Sequence, residues 1–415
     1  MTQIFSLRRI SYSSLLDFIL VVQILSILPL LLGSDNNLYA QRANEDWSGL
    51  MQREKGWLGA DGVYSISLRY DAATGREVCE ETDDYLWLFS DTLCGATRKQ
   101  GKEFEKVQLV NHSFAILEGS QPIAANIKFL WEKNADSEGT APKNIIDGHY
   151  WLQDGVRYQD SIWLTAISVG KAWKPDRIDV VEIPLLPGTH FPDFNQARVD
   201  TTADLSFKTE DAQIVLGAAI CDDSEDDNIY IFGYVDRFHE GSRKDAVVAR
   251  VQRDKLKKYP EWEFYNGGNL WSKDFRSLLE TKSTLVPNVS TEFSVSKIPC
   301  GKLCGKWLLV YTPGVISDCI AFRVGDSPIG PYGSEHIFYR SEIPRQIPGV
   351  QCYNAKAHPS LTSQNGVLVS YNVNRLGSLA RRPEEYRPRF VELLWETIES
   401  TEETSLTNKT QNAAR

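Results

Sequence analysis

Three carboxylates in this 415-residue chain occupy comparable local settings. Asp61 lies in Gly59-Ala60-Asp61-Gly62-Val63-Tyr64-Ser65, Asp154 in Trp151-Leu152-Gln153-Asp154-Gly155-Val156, and Glu292 in Ser290-Thr291-Glu292-Phe293-Ser294-Val295. Each stands near the start of a short apolar strand. Carboxyls that converge repel one another, and burial further disfavours their charge, so at least one is expected to hold a proton near neutrality. A protonated carboxyl beside an ionised one is what glycoside hydrolysis needs, as general acid and as base or nucleophile. The reading gives Asp61 the role of base or nucleophile, Glu292 that of acid, and Asp154 that of orienting group and pKa modulator. Lys356 and His358, in Asn354-Ala355-Lys356-Ala357-His358-Pro359, complete the set by binding sugar hydroxyls or steadying a carboxylate. Tyr64, Trp151 and Trp57 offer rings on which sugars could stack. Asp91, in Phe89-Ser90-Asp91-Thr92, either caps a turn or reaches the same cavity. An Asp-Gly at a strand head is by itself ordinarily a turn, and His112 and His149 read as hydrogen-bonded structural residues. Recurrence at equivalent positions is what lifts the set above its members.

That equivalence comes from the strands. From Trp57 to Trp395 there is little helical periodicity and there are many short apolar runs between turn signals. Five runs look alike: Trp87-Leu88-Phe89-Ser90, Ile162-Trp163-Leu164-Thr165, Ile229-Tyr230-Ile231-Phe232-Gly233-Tyr234, Trp307-Leu308-Leu309-Val310-Tyr311 and Val367-Leu368-Val369-Ser370-Tyr371. Each follows a polar turn and a preceding short strand, which predicts a hairpin. Positions 87, 163, 230, 307 and 368 are 76, 67, 77 and 61 residues apart, room for about four strands each. The fold predicted is all-β: a single five-bladed β-propeller with four-stranded antiparallel blades over 57–396. Two β-sandwiches would also give short strands, but five near-equally spaced hairpins favour the propeller. The preceding strand of each hairpin then lies innermost, and its start faces a central cavity. At that place the third repeat offers Leu216-Gly217-Ala218-Ala219, without an acid.

Composition narrows the partners. With 45 basic and 55 acidic residues the net charge is −10, which argues against a nucleic-acid binder. Asp222 to Asp227 is acidic but lacks the spacing and Gly of a calcium loop, so a solvated turn is expected. No Gly-x-Ser-x-Gly elbow, phosphate-binding Gly loop or His-Glu-x-x-His helix occurs, and no metal or cofactor is expected. The N-terminus reads as an export signal over 1–40: Arg8 and Arg9 precede an apolar stretch from Leu15 to Leu32, and Leu38-Tyr39-Ala40 offers a cleavage site. An uncleaved anchor is the rival reading, and only then would the chain meet a membrane. Residues 41–56 are expected as an extension and 397–415 as a disordered tail. The seven Cys (79, 94, 221, 300, 304, 319 and 352) leave at least one thiol free, and Cys300 and Cys304 suggest a tied turn or plain thiols. A secreted, periplasmic or cell-surface monomer acting on a poly- or oligosaccharide is the expectation.

Gly59 to Ser65, Trp87 to Thr92, and Tyr353 to Pro359 with Val369-Ser370-Tyr371-Asn372-Val373-Asn374 resemble a secreted five-bladed propeller family. That family was long catalogued as a domain of unknown function, and some of its members are endo-D-arabinanases. Its architecture is similar to the invertase, levansucrase and arabinanase propellers. The resemblance spans most of the chain after the signal and implies a hydrolase of furanoside-type or related polysaccharides. In the broader propeller glycosidases the acids come from three consecutive blades. Here Gly217 stands at the matching place on the third, Glu292 follows on the fourth, and Asp91 is its nearest competitor for the acid's role. Two other functions fit the same cavity: a propeller that binds glycan or protein without turnover, and a lyase on uronic-acid polymers with Lys356 and His358 carrying the chemistry.

Overall fold

All five apolar runs form strands, and each is hydrogen-bonded antiparallel to the first strand of its repeat. A computed structural model describes residues 41–394 other than 72–75, 78–82, 133–143, 171–174, 224, 242, 300–302, 364–365 and 376–381. The expected signal and tail, Cys79 and Cys300 lie outside these residues. The first strands are β1 (Tyr64–Ser67), β2 (Tyr150–Tyr158), β3 (Ala212–Asp223), β4 (Phe293–Lys297) and β5 (Gln351–Ser363). Their partners are Tyr85–Phe89, Ser161–Val169, Asn228–Arg237, Trp307–Tyr311 and Gly366–Asn374. The described residues are nearly all-β, with two short α-helices, Glu45–Leu50 and Ile343–Gln346, and a few 3-10 turns.

Strand number departs from a uniform four. The sheets that start with β1, β2, β4 and β5 have four strands, whereas the sheet holding β3 has seven. A three-stranded sheet (Lys55–Ala60, Thr92–Arg98, Glu103–Val110) and a two-stranded ribbon (Tyr70–Asp71, Arg76–Glu77) are additional. The 41–56 stretch, expected as an extension, is built into the fold. Gln41–Ala43 pairs with Arg389–Leu394 as the outer strand of the sheet that β5 begins. The next turn is held by Asn44, whose Oδ1 caps the Glu45–Leu50 helix at Trp47 N (3.1 Å) and whose Nδ2 donates to Glu392 (3.0 Å).

The apolar runs are continuous, not alternating, because both faces of each sheet are covered. Leu86, Leu88 and Phe114 of the first sheet pack with Ile162, Leu164 and Val181 of the second. Trp163 and Ile167, on the opposite face of that second sheet, pack with the third, whose core continues to Trp307, Leu309 and Tyr311 of the fourth. Leu308 and Val310 face the fifth at Val367 and Val369, and Leu368 and Phe390 of the fifth meet Trp87 and Phe89 of the first. Burying one Leu of this kind contributes about 1.5–3 kcal/mol. The first strands touch in the same cycle: β1 with β2, β2 with β3, β3 with β4, β4 with β5, and β5 with β1. Hydrogen bonds from Tyr353 to Asp61 and between Ser65 and His358 show β1 and β5 running in the same direction. The starts of the strands therefore gather at one end of the ring and their ends at the other.

Candidate active site

Three of the first strands are irregular at the level of the site. The ladder of β2 skips Gln153 and Asp154, that of β3 skips Gly217 and Ala218, and that of β5 skips Asn354 and Ala355. A bulge re-aims the side chains it displaces, which explains how a strand with both faces buried can turn a carboxylate toward the ring's centre. Gly217, at φ +102°, would place a Cβ 2.3 Å from Thr165 Oγ1, so the residue that lacks an acid is needed for close passage of two strands. Gly59 has the matching role beside Asp61: its Cβ would lie 2.0 Å from the Tyr386 carbonyl oxygen. Absence of a side chain there lets the 386 segment reach the first repeat.

Asp61 and Asp91 meet at this end. The Asp61 amide donates to the Asp91 carbonyl (3.3 Å), and the Ser90 amide donates to the Asp61 carbonyl (2.8 Å). Tyr353 Oη donates to Asp61 Oδ2 at 2.8 Å, Asn374 Nδ2 donates to Tyr353 Oη at 3.4 Å, and Tyr386 Oη donates to the Asp91 carbonyl at 2.9 Å while also reaching the Asp61 carboxyl. Burial, then the nearby Asp91 and Glu292 charges, push the Asp61 carboxyl up to about 8 against the two tyrosine hydrogen bonds. Burial raises Asp91 to about 6, opposed by a hydrogen bond from Trp151. His149 Nε2 lies 3.7 Å from Asp91 Oδ1.

Lys356 forms the floor of this group. It is 1% exposed, pairs through Nζ with Glu292 Oε2, and sits 4.1 Å above the Tyr64 ring. Burial lowers the Lys356 pKa, and Glu292, Asp61 and Asp154 oppose that shift. Asp154 also interacts with Lys356. Its carboxyl accepts from Gly155 N (2.9 Å) and Ile220 N (2.8 Å), and burial raises it to about 7 against those bonds and Lys356. Tyr64 Oη donates to the Ala218 carbonyl at 3.2 Å, in the bulge of β3. Asp61, Asp91 and Glu292 thus act on one another, and Asp154 joins the group through Lys356 and Tyr64.

Other expected residues are placed differently. His358 is 1% exposed, with Nδ1 2.8 Å from Ser65 Oγ and Nε2 2.8 Å from Ser370 Oγ, and it packs on Trp87. Both ring nitrogens are thus engaged within the protein, and burial lowers its pKa to about 3. Trp57 is buried against Phe89 and Phe129, with Nε1 donating to Ser113, so its ring is core. Trp151 is partly exposed beside His149 and hydrogen-bonds to Asp91. His112 is buried and accepts from Ile146 N at 3.1 Å. The acidic stretch is tied down more than a solvated turn would be: Asp222 pairs with Arg253, and Lys297 bridges Asp223 (3.2 Å) and Glu225 (2.9 Å). Cys304 is a plain thiol donating to the Pro299 carbonyl. Tyr353 and Tyr386 were not singled out in the sequence. Tyr353 directly precedes the Asn354 to Pro359 motif and could have been, whereas nothing local marks Tyr386.

A family model described as a domain of unknown function, DUF5005, matches residues 44–395. The chain belongs to the DUF5005 family. The match includes Asp61, Asp91, Asp154, Glu292, Lys356 and both tyrosines. No protein with a curated description matches the sequence. A solved structure from Bacteroides ovatus, provisionally described as a hydrolase, is 17% identical and superposes with a TM-score of 0.63, over 87% of this chain and 92% of that one. This DUF5005 chain and that protein share a fold. A B. megaterium levansucrase variant (TM-score 0.40, 10% identity, 80% of this chain and 81% of that one) is more distant. So is an exo-β-1,3-galactanase from Phanerochaete chrysosporium (TM-score 0.38, 11% identity, 85% and 64%).

Proposed function

We propose that this DUF5005 protein is an exported glycoside hydrolase built on a five-bladed propeller, cleaving a furanoside-type or related polysaccharide. The cycle of contacts among β1 to β5 supports the five-bladed reading, with the seven-stranded sheet as an elaborated blade. The observation that carries the hydrolase reading is the meeting of Asp61, Asp91 and Glu292 at the ring's end where the first strands begin. The endo-arabinanases of the resembling family make arabinan the first substrate to try.

The resting charges favour a division of labour opposite to the one read from the sequence. Glu292 is the anion of an ion pair with Lys356, whereas burial and two neighbouring carboxylates keep a proton on Asp61 at neutral pH. Asp61 then gives its proton to the leaving oxygen, and Glu292 acts as base on water or as nucleophile at the anomeric carbon. Asp91 sustains the Asp61 pKa by repulsion, and Asp154 steadies Lys356. Trp151 supplies the partly open ring beside the acids.

Release of reducing sugar from an arabinan and fructan panel tests the reading. Wild type should release it, while Asp61→Asn and Glu292→Gln should lose turnover with an unchanged thermal transition. No release from any glycan alongside retained glycan affinity would sink the hydrolase in favour of the binding propeller. Products absorbing in the ultraviolet as unsaturated uronides would replace it with the lyase.

A further inference from the structure

A cavity lies at the end of the ring where the first strands finish. It is about 410 Å³ in volume, within the roughly 300–1,000 Å³ of small-molecule sites. All five first strands line it, each with residues at or downstream of those that form the carboxylate group: Ser65, Val156, Ile220, Ser296 and Pro359 among them. Its roof is Tyr64 and Asp154, the residues that also flank Lys356. Asp61, Asp91, Glu292 and Lys356 are not among its lining residues.

Its walls select the occupant's chemistry. Asp222 and Glu225 line it, and each has a cationic partner, Arg253 and Lys297 respectively, the latter shared with Asp223. The remaining wall mixes apolar side chains with hydroxyls, two thiols and Lys297 itself. Ser296 is 6% exposed and lines the cavity, and its Oγ is one of several buried side-chain polar atoms without a hydrogen-bond partner among the described residues. Ser294 Oγ accepts from Ala357 N at 2.7 Å, leaving its own proton to donate. A hydroxyl needing a partner, a second hydroxyl able to donate, a carboxyl overhead and aliphatic patches between them suit a small neutral polyol with C–H faces.

We propose that this cavity binds a free monosaccharide or similar polyol, separately from the carboxylate group at the other end. An occupant touching Asp154 reaches, through Lys356, the cation that holds Glu292. Occupancy would therefore change turnover without blocking substrate. That link to turnover rests on the hydrolase reading; the binding itself does not.

The test is binding of D-arabinose, D-galactose and D-fructose, each followed by calorimetry and by protection of Cys304 from alkylation. Cys304 is exposed and lines the cavity, so an occupant should slow its modification. Binding of at least one sugar should survive in Asp61→Asn and be lost in Ser296→Phe, which fills the cavity. Cys304→Trp, which obstructs the wall from an exposed position, should weaken binding at least tenfold and covers the case in which Ser296→Phe misfolds. Absence of binding in the wild type overturns the proposal, as does binding that persists in both cavity variants. Loss in Asp61→Asn alone would also overturn it, assigning the sugar to the carboxylate end. A chain that binds sugar here yet hydrolyses no glycan would retain this proposal and lose only the hydrolase.

Discussion

Replacing Asp61 by Asn should flatten the dependence of stability on pH. In the folded chain burial and the adjacent carboxylates raise Asp61 from 3.8 to about 8. The folded state thus keeps a proton that the unfolded chain releases above its ordinary carboxyl pKa. Stability falls where the native state binds the extra proton, so the loss begins near pH 4, grows with rising pH and levels off above about 8. At about 1.4 kcal/mol per pH unit the full displacement corresponds to roughly 5–6 kcal/mol. Asp61 is only partly buried, and solvent screening reduces the effect to about 2–4 kcal/mol. Asn keeps an acceptor for Tyr353 and removes the titration. Urea unfolding of wild type and Asp61→Asn, at about pH 5 and about pH 9, reads the contribution of Asp61 together with its repulsion of Asp91. The gap should move in the variant's favour by about 2–4 kcal/mol between those values. Parallel losses in the two proteins would show that Asp61 is not held protonated, and the acid's role would return to Glu292.

Lys356→Met strands Glu292 in a buried setting and should cost about 3–5 kcal/mol in chemical unfolding; adding Glu292→Gln should recover part of it. Tyr353→Phe removes a donor to the Asp61 carboxylate, so the alkaline limb of the pH–rate profile should move to higher pH. Gly217→Ala should destabilise by about 2–4 kcal/mol through its left-handed φ and the clash with Thr165. Gly241→Ala, also at positive φ but with nothing nearby, should cost only about 1 kcal/mol by the same measurement. Asn44→Ala should lower stability by about 1–2 kcal/mol, through loss of both its cap and its bond to Glu392.

The sheet order was legible because the signal is local. Trp307 to Tyr311 is apolar on both faces and bounded by turns, and such a run has few alternatives to a doubly covered strand. The seven-stranded sheet was not legible, since its three added strands, Glu263–Tyr265, Trp271–Ser272 and Val286–Val289, are too short to show a period. Asp61, Glu292 and Lys356 were found by their places at strand starts, and the structure brings them into mutual reach. Asp154 shares the spacing, but the β2 bulge and two backbone amides fix its carboxyl, which spacing does not encode. His358 looked like a sugar ligand from its motif alone. Its two serine partners lie 293 and 12 residues away, one of them beyond the reach of any local pattern. Tyr386 escaped notice for the same reason, since its place depends on the missing side chain of Gly59.

Gln41–Ala43 lies against Arg389–Leu394, so the two ends of the fold share one sheet. The Tyr353 bond to Asp61 spans 292 residues, and Lys356 and Tyr386 arrive later still. A chain emerging from the ribosome or threading through a translocon carries Asp61 early, but as an ordinary exposed carboxylic acid. Its tyrosine donors and the Lys356–Glu292 pair come into being only once Tyr353, Lys356 and Tyr386 have joined the chain. A chain that stops before Tyr353 therefore lacks both donors and the cation of that pair, even when most of its strands have been made.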